Sequence, residues 1–450
     1  MGAQYLYTSI FLAAFGAFVS ATVMGWSSPM LERLKKLDDN PLGRVITRGE
    51  NSWLASLSIL GSCIGCIVVG MFTSKLGRKT LLVLNGIIVF TFFLVMVWAE
   101  SVWLLYVCRL MTGFGVGGIF SVLPMYFGEM AEAKNRGMIS TSMVVFLNGG
   151  MLFSFAAGPY FTYFSFHITL AALAGIFTLM FFIFAPESPY YLIRTDRSKA
   201  KSVLKKLRGE EKLDETLDKM EESLRNHSEV SFMEVFKSRA SVKTLIIGIG
   251  GFTFTQFTGS SIFMSYSETI LKEAGGAIPP EEGPIIINVI QFVTSLVVTI
   301  FADKFPRKYL LAVSHAGIAL SQIPLGTYFH LKFNDYDLSS VSWLPLICMI
   351  AFSVLFSVGV GPVLMTFMGE IFPPKIKSVV VSWLIAYNLG SSFLITLLYN
   401  SLEDAIGIDY LLWISAVFGF AAVIFVWLCM IETKGKTLQE IQDELNARYN

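Results

Sequence analysis

The chain has 450 residues, of which 54% are hydrophobic and only 15% charged, against roughly a quarter charged in an ordinary water-soluble domain. A surface facing water on all sides cannot be assembled from that composition, so the chain reads as an integral membrane protein. Its 34 Lys and Arg nearly cancel its 33 Asp and Glu, which leaves no basic footprint for nucleic acid.

A helix needs about 20 mostly apolar residues to cross the hydrocarbon layer. Such segments fall near 5–28, 52–74, 80–99, 102–126, 139–160 and 166–186, and again near 243–268, 285–302, 309–330, 342–368, 378–400 and 409–431. The expected fold is therefore all-α, with twelve transmembrane helices in two six-helix bundles at 1–186 and 243–431. A cytoplasmic helical linker at 187–242 joins them, and a cytoplasmic tail at 432–450 follows. Only MGAQ precedes the first span, without the basic stretch of a cleaved signal, so that span is expected to be retained. Later spans are interrupted by Gly and Pro, as in GVGP at 359–362.

On this topology 26 Lys and Arg lie on the side of both termini and 7 on the other, with Arg109 inside a span. Positive charge marks the cytoplasmic side, which predicts a multi-pass plasma-membrane protein with both termini cytoplasmic. Five of the seven outer cations sit in the loop 29–50, a mild conflict offset by acids such as Glu32 and Asp38. The sequon Asn226-His227-Ser228 falls in the linker and is expected to carry no glycan. Runs such as DRSKAKSVLKKLRGEEKLDETLDKMEESLRN predict a short bundle of amphipathic helices there. All five cysteines lie in apolar stretches, which argues against disulfides. The metal-type spacing of Cys63 and Cys66 in GSCIGC reads as helix packing.

Three motifs recur in order. SKLGRKTLL at 74–82 returns as DKFPRKYLL at 303–311, FGEM at 127–130 as MGEI at 368–371, and APES at 185–188 as MIET at 430–433. A duplicated six-helix unit follows, with a substrate site expected near the midplane between the repeats. The repeated charges lie at cytoplasmic helix ends. Arg78, Lys79, Glu129, Arg136, Arg307, Lys308, Glu370 and Lys377 are expected to form a latch of ion pairs between the halves in one state, with Arg109, Glu187, Asp303 and Glu432 in the same cytoplasmic gate set.

The stretch Arg109-x3-Gly113-x3-Gly117, then Pro124-Met125-Tyr126-x2-Glu129 and Arg136-Gly137, resembles the sugar porter family of the major facilitator superfamily. PESPYYL at 186–192 and ETKGKTLQEI at 432–441 resemble that family's markers after spans six and twelve, and the resemblance covers essentially the whole chain. FLNGG at 146–150 and PESPYY look most like the insect facilitated trehalose transporter group. The resemblance implies alternating access and a neutral sugar as substrate. It places Gln256, Thr258, Gln291 and Asn388 at sugar-contacting positions. Ser357 and Met365 stand where glucose carriers hold Glu and Trp, and Val144 where they hold Gln, which argues against a typical glucose pocket. Ser74 and Pro306 also depart from the family's pattern.

A sugar presents hydroxyls that donate and accept over a weakly apolar ring face, so uncharged amides and hydroxyls with aromatic walls suit it. Gln256, Gln291, Asn388, Asn148, Thr255, Thr258 and Ser261 supply the polar set, and Tyr266, Phe263 and Tyr387 candidate walls or gates. Proton coupling needs an ionisable group in the membrane that changes charge with conformation. No Asp or Glu precedes Glu32, so the first span lacks one. Glu268 and His315 have no evident partner, and His315 reads as a bundle hydrogen-bonding residue. The expectation is facilitated diffusion of trehalose, with a monosaccharide or polyol as the alternative. A non-transporting sugar sensor is disfavoured by the 18 residues that follow Glu432. With no phosphate-binding loop and no paired carboxylates in a buried pocket, no enzyme, cofactor or metal is expected. The functional unit is expected to be monomeric.

Overall fold

A computed structural model of the chain describes residues 2–131, 136–208, 213–226, 239–276, 278–301, 305–372, 374–434, 436 and 438–449. Every regular element among them is helical. The first seven helices are α1 (Gly2–Gly25), α2 (Ser27–Leu34), α3 (Arg48–Leu76), α4 (Arg78–Met96), α5 (Val102–Met130), α6 (Arg136–Tyr160) and α7 (Tyr163–Phe184). Three amphipathic helices follow: α8 (Pro189–Thr195), α9 (Arg197–Arg208) and α10 (Leu213–Asn226). The remainder is α11 (Arg239–Phe257), α12 (Ser260–Ala274), α13 (Glu282–Phe301), α14 (Arg307–Phe333), α15 (Leu344–Leu355), α16 (Gly361–Ile371), α17 (Pro374–Ile406), α18 (Ile408–Cys429) and α19 (Leu438–Tyr449).

Among the described residues ten stretches are long and apolar enough to cross a membrane, with α1 and α2 counted as one and the chain from Ser339 to Met368 as another. The two other expected spans differ for local reasons. The apolar part of α13 is short, Glu282–Val298. The span expected at 243–268 is divided at Thr258-Gly259, where Gly259 takes φ +82° and ends the helical register. Large apolar side chains face outward along α7 and α18, with Phe182 61%, Val417 66% and Leu428 66% exposed. Hydrocarbon, not water, solvates such faces.

The chain divides into two compact units. One comprises Met1–Met24, Asp39–Arg44 and Leu57–Glu229, and the other Gly25–Asp38, Val45–Ser56 and Val230–Asn450. Residues 25–38 and 45–56 thus group with the helices that follow the linker.

In the first unit α3 and α5 approach through reciprocal glycines. A Cβ on Gly61 would lie 2.0 Å from the Leu110 carbonyl oxygen, and one on Gly117 2.0 Å from that of Ser62. Ser62 Oγ, in turn, donates to the Gly113 carbonyl at 3.0 Å. Small residues at four-residue spacing let helix backbones meet where no hydrophobic effect drives association. This explains GSCIGC, whose glycines face α5. Arg109, fully buried on α5, donates to the Val23 carbonyl at 3.0 Å and to Ser58 Oγ at 2.6 Å. It ties α1 and α3 to α5.

The linker helices enclose their own small core of Ala200, Leu204, Leu213, Leu217 and Met220. Asp196 caps α9, accepting from the backbone N–H groups of Ser198 and Lys199 at 3.0 and 3.2 Å. The Ser198 hydroxyl and the Lys199 N–H hold its carboxyl at a pKa of about 2. A depressed carboxylate stabilises the helix above its unfolded pKa near 3.8 and loses that effect only as pH falls toward 2. The start of α9 is therefore expected to be indifferent to pH between 5 and 8. Asp196→Ala is expected to speed proteolytic cleavage at 195–199 by roughly fivefold, which limited proteolysis of the whole protein would check.

The second unit is built on Leu311, Phe367, Phe372 and Leu384, contributed by α14, α16, α17 and the turn after α16. Between α15 and α16 the chain widens into a π-helical turn at Phe356–Val360. Ser314 of α14 serves both ends of it, donating to the Leu355 carbonyl and accepting from Val360 N at 3.2 Å. Gly359 allows this approach, since a Cβ there would fall 2.5 Å from the Leu310 carbonyl oxygen.

Candidate functional site

The repeated motifs build two matching networks, one per unit. In the first, Glu187 accepts from the backbone N–H groups of Arg78 and Lys79 at 2.9 and 3.0 Å, which places a carboxylate on the N-terminus of α4. Gly77, with φ +80°, is required there, because a Cβ would lie 2.4 Å from Glu187 Oε2. The Arg78 guanidinium donates twice to Glu129 Oε1, at 2.7 and 3.1 Å, and Ser188 Oγ donates to Glu129 Oε2. In the second, Glu432 accepts from Arg307 N and Lys308 N at 3.0 and 3.1 Å on the first turn of α14. Thr433 Oγ1 donates to Glu370 Oε2 at 2.6 Å, and Arg307 stands 3.7 Å from Glu370 Oε1. Pro306 replaces the glycine with an extended backbone, φ −60° and ψ 137°.

Each described ion pair of the expected latch is internal to one unit, Arg78 with Glu129 to the first and Arg307 with Glu370 to the second. The Arg78–Glu129 pair is the tighter and more buried, with 9% and 15% side-chain exposure against 13% and 30%. Asp303 and the side chains of Arg136 and Lys377 lie outside the described residues.

The sugar-type residues converge beside the break of α11 and α12. Gln256 Nε2 donates to Asn388 Oδ1 at 2.7 Å and approaches the Asn388 carbonyl at 3.4 Å. A backbone carbonyl only accepts, so this contact fixes which end of the Gln256 amide is nitrogen. Gln256 Oε1 then accepts from Ser261 Oγ at 2.8 Å, which leaves the Ser392 hydroxyl to donate to Ser261 Oγ across 2.5 Å. The result is a one-way chain, Ser392 to Ser261 to Gln256 to Asn388, in which each bond polarises the next. Its end presents the Asn388 amide nitrogen as a donor on a half-buried residue. Ser392 was not anticipated, although it lies four residues after Asn388 and so on the same face of α17.

Other expected residues are placed differently. Thr255 Oγ1 donates to Gly251 O and Thr258 Oγ1 to Thr255 O, so both hydroxyls are engaged by their own helix. Tyr266 is fully buried, stacks on Tyr399 at 4.8 Å and donates to the Thr396 carbonyl at 3.4 Å. Phe263 stacks on Phe352 at 4.2 Å. The half-exposed aromatic is Tyr387, whose hydroxyl meets Thr253 Oγ1 at 2.7 Å. Gln291 on α13 is half-buried, Ser357 lies buried in the π-helical turn, and Met365 on α16 is 42% exposed. Asn148 and Val144 lie on α6 in the first unit. His315 is buried, and its Nδ1 has no hydrogen-bond partner among the described residues. Its expected bundle hydrogen bond is therefore absent at that nitrogen.

A polar hub that sequence reading missed lies at the other end of α12. Glu32 of α2, 2% exposed, accepts from Thr269 Oγ1 at 2.6 Å, Lys35 Nζ at 2.5 Å and Lys272 Nζ at 2.8 Å. Ser28 Oγ accepts from Glu268 N at 3.1 Å. These bonds fasten α2 along α12. The positions of Glu32 and Lys272 at apolar-segment ends were visible, but their meeting across some 240 residues was not.

A helical membrane protein with duplicated motif networks and an uncharged amide–hydroxyl chain beside a broken span has the design of a solute carrier. The model of the family described as "Sugar (and other) transporter" matches residues 4–445, and the chain belongs to that family. The chain is 30% identical to the "Facilitated trehalose transporter Tret1" of Polypedilum vanderplanki over 99% of its own length and 89% of that protein. It is 30% identical to the Anopheles gambiae protein of the same name, again over 99% of its length but only 57% of that longer relative. Among solved structures it is similar to the xylose transporter XylE from E. coli in an inward-open conformation, with TM-score 0.82 and 20% identity over 98% of this chain and 99% of that one. It is also similar to XylE bound to 6-bromo-6-deoxy-D-glucose, described as a major facilitator superfamily proton:xylose symporter, with TM-score 0.78 and 21% identity over the whole of both chains. The fold is thus that of the major facilitator sugar porters, and the family is one of transporters, not enzymes.

Proposed function

We propose that the protein is a facilitative, uncoupled sugar carrier of the plasma membrane that works by alternating access, with trehalose as its substrate. The observation that carries this reading is the one-way chain ending in Asn388, a set of neutral donors and acceptors suited to sugar hydroxyls and unsuited to ions. The names of the curated relatives support trehalose. Helix α1 carries no Asp or Glu, which supports uncoupled movement. In this reading the chain has twelve spans, counting α11 with α12 as one and α13 as another, and both termini are cytoplasmic. Gln256, Asn388, Ser261, Gln291 and Asn148 serve the sugar, and the functional unit is a monomer. The two motif networks brace the cytoplasmic helix ends.

Uptake of radiolabelled trehalose and glucose, measured side by side in cells with an uncoupler present, tests this. Saturable, uncoupler-resistant trehalose uptake is the expected result. Glucose uptake alone would keep the mechanism and change the substrate, a rate driven persistently by an imposed proton gradient would overturn uncoupled transport, and no uptake of either sugar at normal surface expression would remove the carrier reading.

A further inference from the structure

The break in span seven is held from outside the span. At Thr258 and Gly259 the α-helical ladder stops, and the freed carbonyls find other donors. Gly259 N turns back to Gln256 O at 3.0 Å, while the hydroxyls of Thr258 and Ser260 donate to Thr255 O at 2.7 and 3.3 Å. Those bonds are local and would form wherever the chain kinks. The Thr258 carbonyl is different, because its donor is Gln322 Nε2 on α14, 2.6 Å away and 64 residues along the chain. A carbonyl accepts only, so this contact assigns the Gln322 nitrogen without ambiguity.

Gln322 is 1% exposed, and its Oε1 is buried with no hydrogen-bond partner among the described residues. A long, rotamer-rich amide is therefore kept in an apolar helix interior at the expense of an unsatisfied oxygen, a situation that destabilises by about 1–3 kcal/mol wherever it occurs. Leu or Met would fill that volume without the penalty. What they would not supply is the N–H for Thr258 O. A Cβ on Gly259 would come 3.7 Å from the same nitrogen, so the amide lies directly against the left-handed residue that makes the break.

We propose that Gln322 is a positioning residue that holds the hinge of span seven, and through it sets where Gln256 meets Asn388 and where α12 sits. Gln256 lies two residues before Thr258 and Ser261 three after, so the two central members of the sugar-facing hydrogen-bond chain hang on the geometry of this hinge. Gln322 itself touches neither Gln256 nor Asn388 through any described bond. Its effect on sugar movement rests on the carrier reading above, whereas its effect on the hinge does not.

Two variants of nearly equal size separate the bond from the packing. Gln322→Met removes the donor at every pH, and Gln322→Glu restores a donor only while its carboxyl is protonated. In the full-length protein, hydrogen exchange at residues 255–263 is expected to speed about tenfold in Gln322→Met, with the rest of α14 unchanged. Trehalose uptake should lose about tenfold in the ratio of maximal rate to half-saturation concentration. Gln322→Glu should match the wild type at about pH 5.5 and fall to the Met level at about pH 8.5, a step the wild type lacks. Unaltered exchange at 255–263 in Gln322→Met, or Met and Glu variants that behave alike at every pH, would overturn the proposal. If Gln322→Met fails to reach the membrane, the pH step of Gln322→Glu decides alone. A wild type that carries no sugar would sink the carrier reading, and the exchange rates would still decide the hinge.

Discussion

Gln256→Ala is expected to raise the half-saturation concentration for sugar uptake by about 30–100-fold, which corresponds to roughly 2–3 kcal/mol. The side chain makes two bonds that no neighbour can replace, donating to Asn388 Oδ1 at 2.7 Å and accepting from Ser261 Oγ at 2.8 Å. Without it the Asn388 amide is free to rotate and the Ser261 hydroxyl loses its acceptor, so the donor offered to the sugar is no longer aimed. Thr258→Val provides the contrast. Its hydroxyl serves only a carbonyl three residues back, and uptake is expected to stay within about twofold of wild type. Concentration-dependent uptake of labelled trehalose at matched surface expression checks both. Equal half-saturation for Gln256→Ala and wild type would mean that this chain does not face the sugar.

Gly117→Ala is expected to destabilise the first unit by about 3 kcal/mol or more, and its thermal midpoint in detergent should fall by several degrees. The added methyl would sit 2.0 Å from the Ser62 carbonyl oxygen, far inside contact distance, and that obstacle is backbone that cannot rotate away. Helices α3 and α5 would have to part, with loss of the Ser62–Gly113 bond and the seat of Arg109 beside Ser58. Gly128→Ala on the same helix is the control. Nothing lies within 4 Å of a Cβ there, so this change is expected to be neutral or stabilising by up to about 1 kcal/mol. Similar melting of the two variants would remove close packing as the reason for glycine at 117.

Residue patterns alone carried the membrane class, the duplicated design and the Glu–cation motifs, because each depends on local composition or on spacing along one helix. The Glu129 and Glu370 networks show how far that reaches. Motif repetition located the charges, but the carboxylates of Glu187 and Glu432, which accept N–H groups on the first turns of α4 and α14, could be assigned that task only once the helix ends were in place. The polar set of span seven was likewise legible as residue types. Yet Thr255 and Thr258 spend their hydroxyls on their own helix, Tyr266 is buried against Tyr399, and Ser392 joins the chain instead. Which side of a helix meets a partner is not encoded in the identity of one residue.

The sequence by itself thus determined that the chain lives in a membrane, folds as a repeated helical carrier and holds a neutral amide and hydroxyls rather than charge in the interior of its seventh apolar segment, since hydrophobic runs, charge asymmetry and motif recurrence are properties of the unfolded string. Only the tertiary structure decided which hydroxyls and amides are free, that Glu32 meets Lys272, and that Gln322 reaches the broken carbonyl of Thr258. The physical reason is the same in each case. In a bilayer no water is at hand for a backbone group freed from its helix, so its partner must come from within the protein, and partners separated by 60 to 240 residues are chosen by helix packing, not by proximity along the chain.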